Sequence, residues 1–154
     1  MTPAVDHARA LGLHFELHEY ASASAGAWGE EAARALGLDP ERVFKTLIAR
    51  LVGGPLVVAI VPVVGQLDLK KLAGAAGAKR AELADARDAE RSTGYVLGGI
   101  SPLGQRRALD TFLDATAERH PTVYVSAGRR GLEIELAPGD LAAACSAVIA
   151  PLAR

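Results

Sequence analysis

Apolar positions along this chain change their period several times, and the changes mark out its elements. Thr2 and Pro3 read as an N-cap and first helical residue with Gly12 as the stop, predicting a short helix over Pro3–Leu11. From His14 to Tyr20 the period is two. Phe15 and Leu17 face one way and His14, Glu16, His18 and Tyr20 the other, as on a strand. Ala21 to Ala27 reads as a loop of small residues, and Trp28–Leu36 as a helix closed by Gly37. Asp39-Pro40 starts a turn. Phe44–Val52 is strand-like, Gly53-Gly54-Pro55 breaks it, and Leu56–Val61 returns, so the pair predicts a hairpin.

Further on, Gln66–Ala76 predicts a helix with Asp68 as its cap. A strand near Arg80–Leu83 and a short helix near Ala86–Ser92 follow. Tyr95–Gln105 is glycine-rich and irregular. Leu109–Leu113, Thr122–Ser126 and Leu132–Leu136 are strand patterns, with a turn over Gly128–Gly131, and Pro138–Ile149 reads as a closing helix. No repeat or linker interrupts this order. Hairpins with interspersed helices predict one compact α+β domain with a mixed sheet over residues 1–154, rather than regular βαβ winding.

Composition narrows the chemistry. Half of the 154 residues are apolar and 23% are charged, enough for a real core. The formal net charge is −1, which does not suit a protein that grips a nucleic acid by bulk charge. Four dibasic pairs stand out against it: Lys70-Lys71, Lys79-Arg80, Arg106-Arg107 and Arg129-Arg130. They form a local basic rim if the fold converges them, and solvated surface pairs otherwise. Cys145 is the single cysteine, so no intrachain disulfide forms, as suits a reducing, cytoplasmic setting. The opening MTPAVDHARALGLH lacks the basic-then-apolar pattern of a signal peptide, and the apolar run from Leu56 to Val64 is too short to span a bilayer.

Lys45 is the most informative single residue. Its strand face-mates are Leu47, Ala49 and Leu51, while Phe44, Thr46 and Ile48 take the other face. Two apolar faces describe a strand covered on both sides. A lysine there either snorkels from the strand mouth to water or points into a pocket that holds an anion or a polarised oxygen. The second feature is Gly98-Gly99-Ile100-Ser101-Pro102-Leu103-Gly104, whose glycines allow close backbone approach and whose proline stiffens the loop. It is not a P-loop, because Gln105 and Arg106 stand where Lys and Ser/Thr are required. Other chemistry fails. His14, Glu16 and His18 resemble a metal cluster on paper, but His14 and His18 on one strand lie roughly 13 Å apart at about 3.3 Å per residue, too far to share an ion, so no metal site is expected. Cys145 falls on one helical face with Leu141, Val148, Ile149 and Leu152, as a packed thiol. No G-x-S-x-G elbow appears, and neither Ser101 nor Ser126 has a base beside it in sequence. No cofactor is called for.

Longer runs carry a resemblance. MTPAV, VFKTL at Val43–Leu47, VVGQLDLKKLA at Val63–Ala73, RSTGYVLGGISPLGQRR at Arg91–Arg107, YVSAGRRGLEIEL at Tyr124–Leu136 and PGDLA at Pro138–Ala142 resemble the YbaK/EbsC family. Within it they resemble the YbaK-type Cys-tRNA(Pro) deacylases. The resemblance implies a mixed, strongly curved sheet with surrounding helices, the fold of prolyl-tRNA-synthetase-associated editing domains. It implies that Lys45 is the family's catalytic pocket lysine, and that Gly98, Gly99, Ile100, Ser101 and Pro102 form the G-x-x-x-P loop at the substrate's aminoacyl end. Tyr20 matches a tyrosine at the pocket edge. Glu133 stands where the family usually has Asp, one methylene longer. The implied substrate is mischarged aminoacyl-tRNA(Pro), with prolyl-tRNA synthetase as partner and neither membrane nor DNA involved. Because the substrate's own thiol is thought to attack its ester, no protein nucleophile is needed. A deacylase for another mischarged residue such as alanine, and a non-catalytic aminoacyl- or nucleotide-binding module, are the alternatives.

Overall fold

A computed structural model describes residues 1–22 and 28–154, with the side chain of Trp28 excepted. The predicted loop over Ala21–Ala27 falls mostly outside them.

The first helix, α1 (Pro3–Ala10), starts where Thr2 accepts a hydrogen bond from the Val5 amide. Strand β1 (Phe15–Glu19) and helix α2 (Trp28–Leu36) follow, then a 3-10 turn over Pro40–Arg42. The hairpin is β2 (Phe44–Leu51) and β3 (Leu56–Pro62), in register from Phe44–Pro62 to Arg50–Leu56. Helix α3 (Leu69–Ala76) is capped by Asp68, which accepts from the amides of Lys70 and Lys71. Next come β4 (Ala81–Leu83), α4 (Ala86–Thr93), the long loop to β5 (Asp110–Asp114) and a second 3-10 turn over Ala115–Arg119. The chain closes with β6 (Val123–Arg129), β7 (Leu132–Leu136), α5 (Pro138–Cys145) and β8 (Val148–Ala150).

These strands form a three-stranded antiparallel sheet, β1-β7-β6, and a five-stranded mixed sheet, β4-β2-β3-β5-β8. The two meet at one corner, where Val43 bridges Tyr124 in parallel. The main core lies between them. Phe44, Ile48, Val58, Ile60 and Leu113 from the larger sheet pack with Val123, Val125, Ile134 and Leu136 from the smaller. The far face of the larger sheet carries a second cluster, in which Ala49, Leu51, Val57, Ala59 and Val61 pack with Leu72 of α3. Strand β2 is thus covered on both faces, as its sequence implied. The mixed α+β domain is the expected class.

The closing helix is shorter than its pattern suggested. Ser146 takes a left-handed conformation at φ 51°, and the amides of Ser146 and Ala147 turn back to Ala143 and Ala142. Val148–Ala150 then pairs in parallel with β5. β-branched Val148 and Ile149 extend that sheet instead of continuing the helix. Cys145 therefore does not share a helical face with them. It is part-buried, its thiol donates to the Pro102 carbonyl at 3.3 Å, and burial pushes its pKa up to about 12, so it is inert packing. Among the described residues no helix is long and apolar enough to cross a membrane.

Candidate active site

The site sits in a fork of the sheet. On one edge β2 is paired along its length with β3. On the other edge, among the described residues, only Ala49–Leu51 finds a strand, β4, and Val43, just before β2, finds Tyr124 of β6. Between those points β2 and β6 diverge, and a cavity of about 290 Å³ opens in the gap. Because it lies at a divergence, consecutive residues of β2 reach it: Phe44, Lys45, Thr46 and Leu47 all line it. Tyr20, Ser126 and Glu133 contribute the wall from the smaller sheet, and Leu97, Gly98 and Ile100 close it from the glycine-rich loop.

Lys45 is half-buried, and its Nζ donates to the carbonyl of Gly65 at 2.9 Å. One of its three N–H donors is thereby used and the ammonium stays at the cavity wall. Glu133 is 5% exposed. Burial alone pushes its carboxyl up from 4.5 to about 8, so it is mostly protonated at neutral pH. Lys45 and Glu133 are not among the ion pairs within 4 Å between described residues. Tyr20 is raised above the ordinary phenol value, first by burial and then by the neighbouring Glu133 charge. Its amide donates to the Gly131 carbonyl at 2.9 Å, which fixes it beside the β6–β7 turn.

The glycine-rich loop divides into two parts. The Gly99 amide closes a turn onto the Val96 carbonyl at 2.9 Å, and Gly98 holds φ +89°, the conformation that a type II turn requires at its third residue. Gly98 and Ile100 face the cavity. Gly99, Ser101 and Pro102 do not line it, so these three of the expected contact residues have a different place. A Cβ on Gly99 would lie 2.7 Å from the Arg129 Cα, so this glycine lets the loop dock on the β6–β7 turn. Ser101 is fully buried, its hydroxyl accepts from the Leu103 amide, and its carbonyl accepts from Gln105. Pro102 holds Cys145. Tyr95 braces the whole segment, its buried hydroxyl donating to the Leu103 carbonyl at 2.6 Å.

Two wall residues had no sequence signal of their own. Thr46 carries a buried hydroxyl with no hydrogen-bond partner among the described residues. Strand alternation places it opposite Lys45, and only the fork brings both to one cavity. Ser126 lies directly across from Glu133 in the β6–β7 pairing, and its hydroxyl accepts from the Gly128 amide. Among the described residues no histidine or cysteine lines the cavity. A different trio, Glu16, His18 and Glu135, converges away from the cavity, where Glu135 already bonds to His18 and Thr122.

The model of the aminoacyl-tRNA editing domain family matches residues 24–144. The chain belongs to this family. Over 127 residues it is 42% identical to an Enterococcus faecalis protein named "Putative Cys-tRNA(Pro)/Cys-tRNA(Cys) deacylase EbsC", covering 80% of this chain and 76% of that one. It is also 30% identical over 112 residues to the Bacillus subtilis protein YwhH, covering 73% and 71%. Among solved structures, that of the hypothetical protein APE2540 superposes with a TM-score of 0.88 at 26% identity over 99% of both chains. A structure described as "a putative trans-editing enzyme for prolyl tRNA synthetase" superposes with 0.82 at 24% identity, over 100% of this chain and 99% of that one, which shows the shared fold. The YbaK/EbsC resemblance and the fold it implied are confirmed.

Proposed function

We propose that this editing domain removes cysteine mischarged onto proline tRNA, and that the substrate's own thiol cleaves the ester. The observation that carries the reading is the combination of Lys45 with a buried Glu133 that has no hydrogen-bond partner among the described residues, in a cavity whose described lining offers no cysteine or histidine. The name of the 42% identical relative supports the choice of cysteine.

The chemistry follows from the two groups. A carboxyl at about 8 is matched to a cysteine thiol near 8.5, so proton transfer between them is close to thermoneutral. Glu133 takes the thiol proton. The thiolate attacks its own ester carbonyl, the carbon–oxygen bond to the ribose breaks, and the released ribose oxygen takes a proton back from Glu133. The products are a cyclic thiolactone and free tRNA. The attack is intramolecular, and confinement holds the thiol against its carbonyl in a near-attack geometry. The Lys45 ammonium stabilises the negative charge that develops on the carbonyl oxygen. Tyr20, Gly98 and Ile100 shape the wall against which the aminoacyl end bends, while Gly99, Ser101 and Pro102 hold that wall in place. With a net charge of −1 the domain binds tRNA weakly, and prolyl-tRNA synthetase supplies the selection of tRNA.

The test is single-turnover deacylation of Cys-, Ser- and Ala-tRNA(Pro). Ser-tRNA(Pro) has nearly the same size but a far poorer nucleophile, so Cys-tRNA(Pro) should react on the order of 10²-fold faster or more. Alkylation of the substrate sulfur should stop the reaction. Equal rates for cysteine and serine, or turnover of the alkylated ester, would mean that activated water does the cleavage. No turnover of any ester would leave a binding module.

A further inference from the structure

We propose that the exposed Arg129–Arg130 turn is the phosphate-gripping rim of this site, holding the phosphodiester backbone at the 3′ end of an RNA whose terminal group enters the cavity. The inference rests on the reading that the substrate is an aminoacylated RNA. It adds a binding element to that reading from the position of this turn.

Two contacts place the turn at the cavity mouth. On one side, Gly131 accepts from the amide of Tyr20, and a Cβ on Gly131 would lie 2.8 Å from the Tyr20 carbonyl oxygen. On the other, Gly99 allows its loop to touch the Arg129 backbone. Tyr20 and the neighbours of Gly99, Gly98 and Ile100, are cavity walls. The turn is therefore wedged between two walls of the cavity. Behind it, the β6–β7 pairing slips between Ser126 and Arg129, and Ser126 is itself a wall residue. Both arginines are exposed.

The charges suit phosphate. The cavity of about 290 Å³ accommodates an aminoacyl group, and the charged phosphates that follow it are best solvated at the mouth. Arginine presents a planar fork that matches phosphate oxygens. Arg129 lies 3.5 Å from Glu19, whose side chain is 71% exposed. Such a solvated pair is worth little and exchanges readily for a phosphodiester oxygen. The Arg130 charge reaches the Tyr20 ring. Of the other dibasic pairs, Lys71 is tied by its ammonium to the Ala153 carbonyl. One pair at one mouth reconciles a polyanionic substrate with a net charge of −1.

The experiment has two arms. In the first, binding of an uncharged RNA microhelix ending in CCA is followed by fluorescence anisotropy across a salt series, for wild type, Arg129→Ala/Arg130→Ala and Arg129→Lys/Arg130→Lys. The alanine pair should weaken binding about tenfold at low salt and flatten the salt slope by about 1.4, the value for two single-strand phosphate contacts. The lysine pair should retain most of the binding. In the second arm, deacylation of aminoacyl-tRNA is compared with that of the same aminoacyl group on adenosine, which carries no phosphate. KM for the tRNA should rise with kcat unchanged, and rates on aminoacyl-adenosine should not move. Unchanged RNA binding and slope overturn the proposal. An equal loss on aminoacyl-adenosine also overturns it, because the turn would then only shape the cavity. Wild-type protein that binds the microhelix through these arginines but deacylates nothing would keep this inference and sink the catalytic reading.

Discussion

Glu133 and Glu135 stand two residues apart on β7 and on the same face of the sheet, yet their surroundings drive their chemistry in opposite directions. Glu133 meets the cavity without a hydrogen-bonding partner among the described residues, and burial lifts its carboxyl to about 8. Glu135 is also partly desolvated, which by itself would raise it. Hydrogen bonds from Thr122, His18 and Tyr124 outweigh that cost and hold it below the usual carboxylate range. Arg42 adds a cation 3.6 Å from Glu135 and sits over the Tyr124 ring. One carboxyl is kept ready to exchange a proton near neutral pH, and the other is fixed as an anion that ties β1 to β7. A satisfied network builds structure, whereas an unsatisfied group in a cavity is a marker of function.

The largest effect expected from breaking this contrast is on catalysis by Glu133. Glu133→Gln keeps the shape and removes the base, so kcat/KM for the cysteinyl ester should fall by about 10²- to 10⁴-fold. In wild type kcat/KM should rise with pH through about 8, as the free carboxyl ionises, and that step should vanish in the variant. Stability should move the other way. The carboxyl holds its proton in the folded state up to about 8 but only to about 4.5 when unfolded. Its contribution is fully present below pH 4.5 and is lost as pH rises to about 8, by on the order of 5 kcal/mol at most. Urea midpoints from pH 4 to 9 should therefore slope downward in wild type and be flatter in Glu133→Gln. A pH profile of kcat/KM without the step would remove Glu133 from the mechanism.

Lys45→Ala should be the next largest. Losing a preorganised cation at the developing oxyanion costs about 10²- to 10³-fold in kcat. The fold should survive, since the structural loss is one hydrogen bond to Gly65, worth about 1 kcal/mol. Wild-type single-turnover rates in a folded Lys45→Ala protein would reassign the lysine to strand-end solvation.

Gly99→Val tests the loop that carries one cavity wall. The new Cβ would lie 2.7 Å from the Arg129 Cα and 3.0 Å from its carbonyl carbon, and backbone on that side cannot rotate away. Overpacking of this kind costs about 1–3 kcal/mol, and the loop should lift off the turn. A lower thermal midpoint with a raised KM is expected. Unchanged KM would separate the loop's docking from the shape of the cavity.

Much of this molecule was legible as a sequence, for reasons that can be named. Thr2, Asp68, Gly12 and Gly37 punctuate helices by local chemistry, the period-two run from His14 to Tyr20 gave β1, and apolar runs broken by Gly53-Gly54-Pro55 gave β2 and β3. What could not be read depends on contacts distant in sequence. Nothing local stops the last helix at Cys145, because a left-handed Ser146 has no composition cue and β8 exists only because β5 offers it an edge. The fork that brings Lys45 and Thr46 to one cavity opens where the chain leaves its single bridge to β6 at Val43 and runs on into β2. The glycine-rich loop was visible, but not that Gly99 faces a turn while Ser101 and Pro102 face the core. Most plainly, Leu132-Glu133-Ile134-Glu135-Leu136 is symmetric in sequence. The family resemblance singled out Glu133, and only the fold shows why its twin behaves differently.

The smallest effect should come from that twin. Glu135→Gln removes a charge on which Thr122, His18 and Tyr124 converge. Its amide can still accept one or two of those bonds, so the loss at pH 7 should be about 1–2 kcal/mol. Because the carboxyl is held below its unfolded value, its contribution is present above that value and is lost as pH falls through the depressed folded one. Wild type should therefore lose stability on the acid side, below about pH 4.5, and the Gln variant should lose less there. This is the opposite slope, in a different pH window, from the one Glu133 produces. Deacylation by Glu135→Gln should stay within about twofold of wild type, since the residue lines no part of the cavity. Urea midpoints between pH 3 and 9, taken beside single-turnover rates on the same preparations, measure both carboxyls together. A Glu135→Gln protein that is as stable as wild type but slow in catalysis would show that the outer network also positions the site, and that the division between the two glutamates is not as clean as their environments make it.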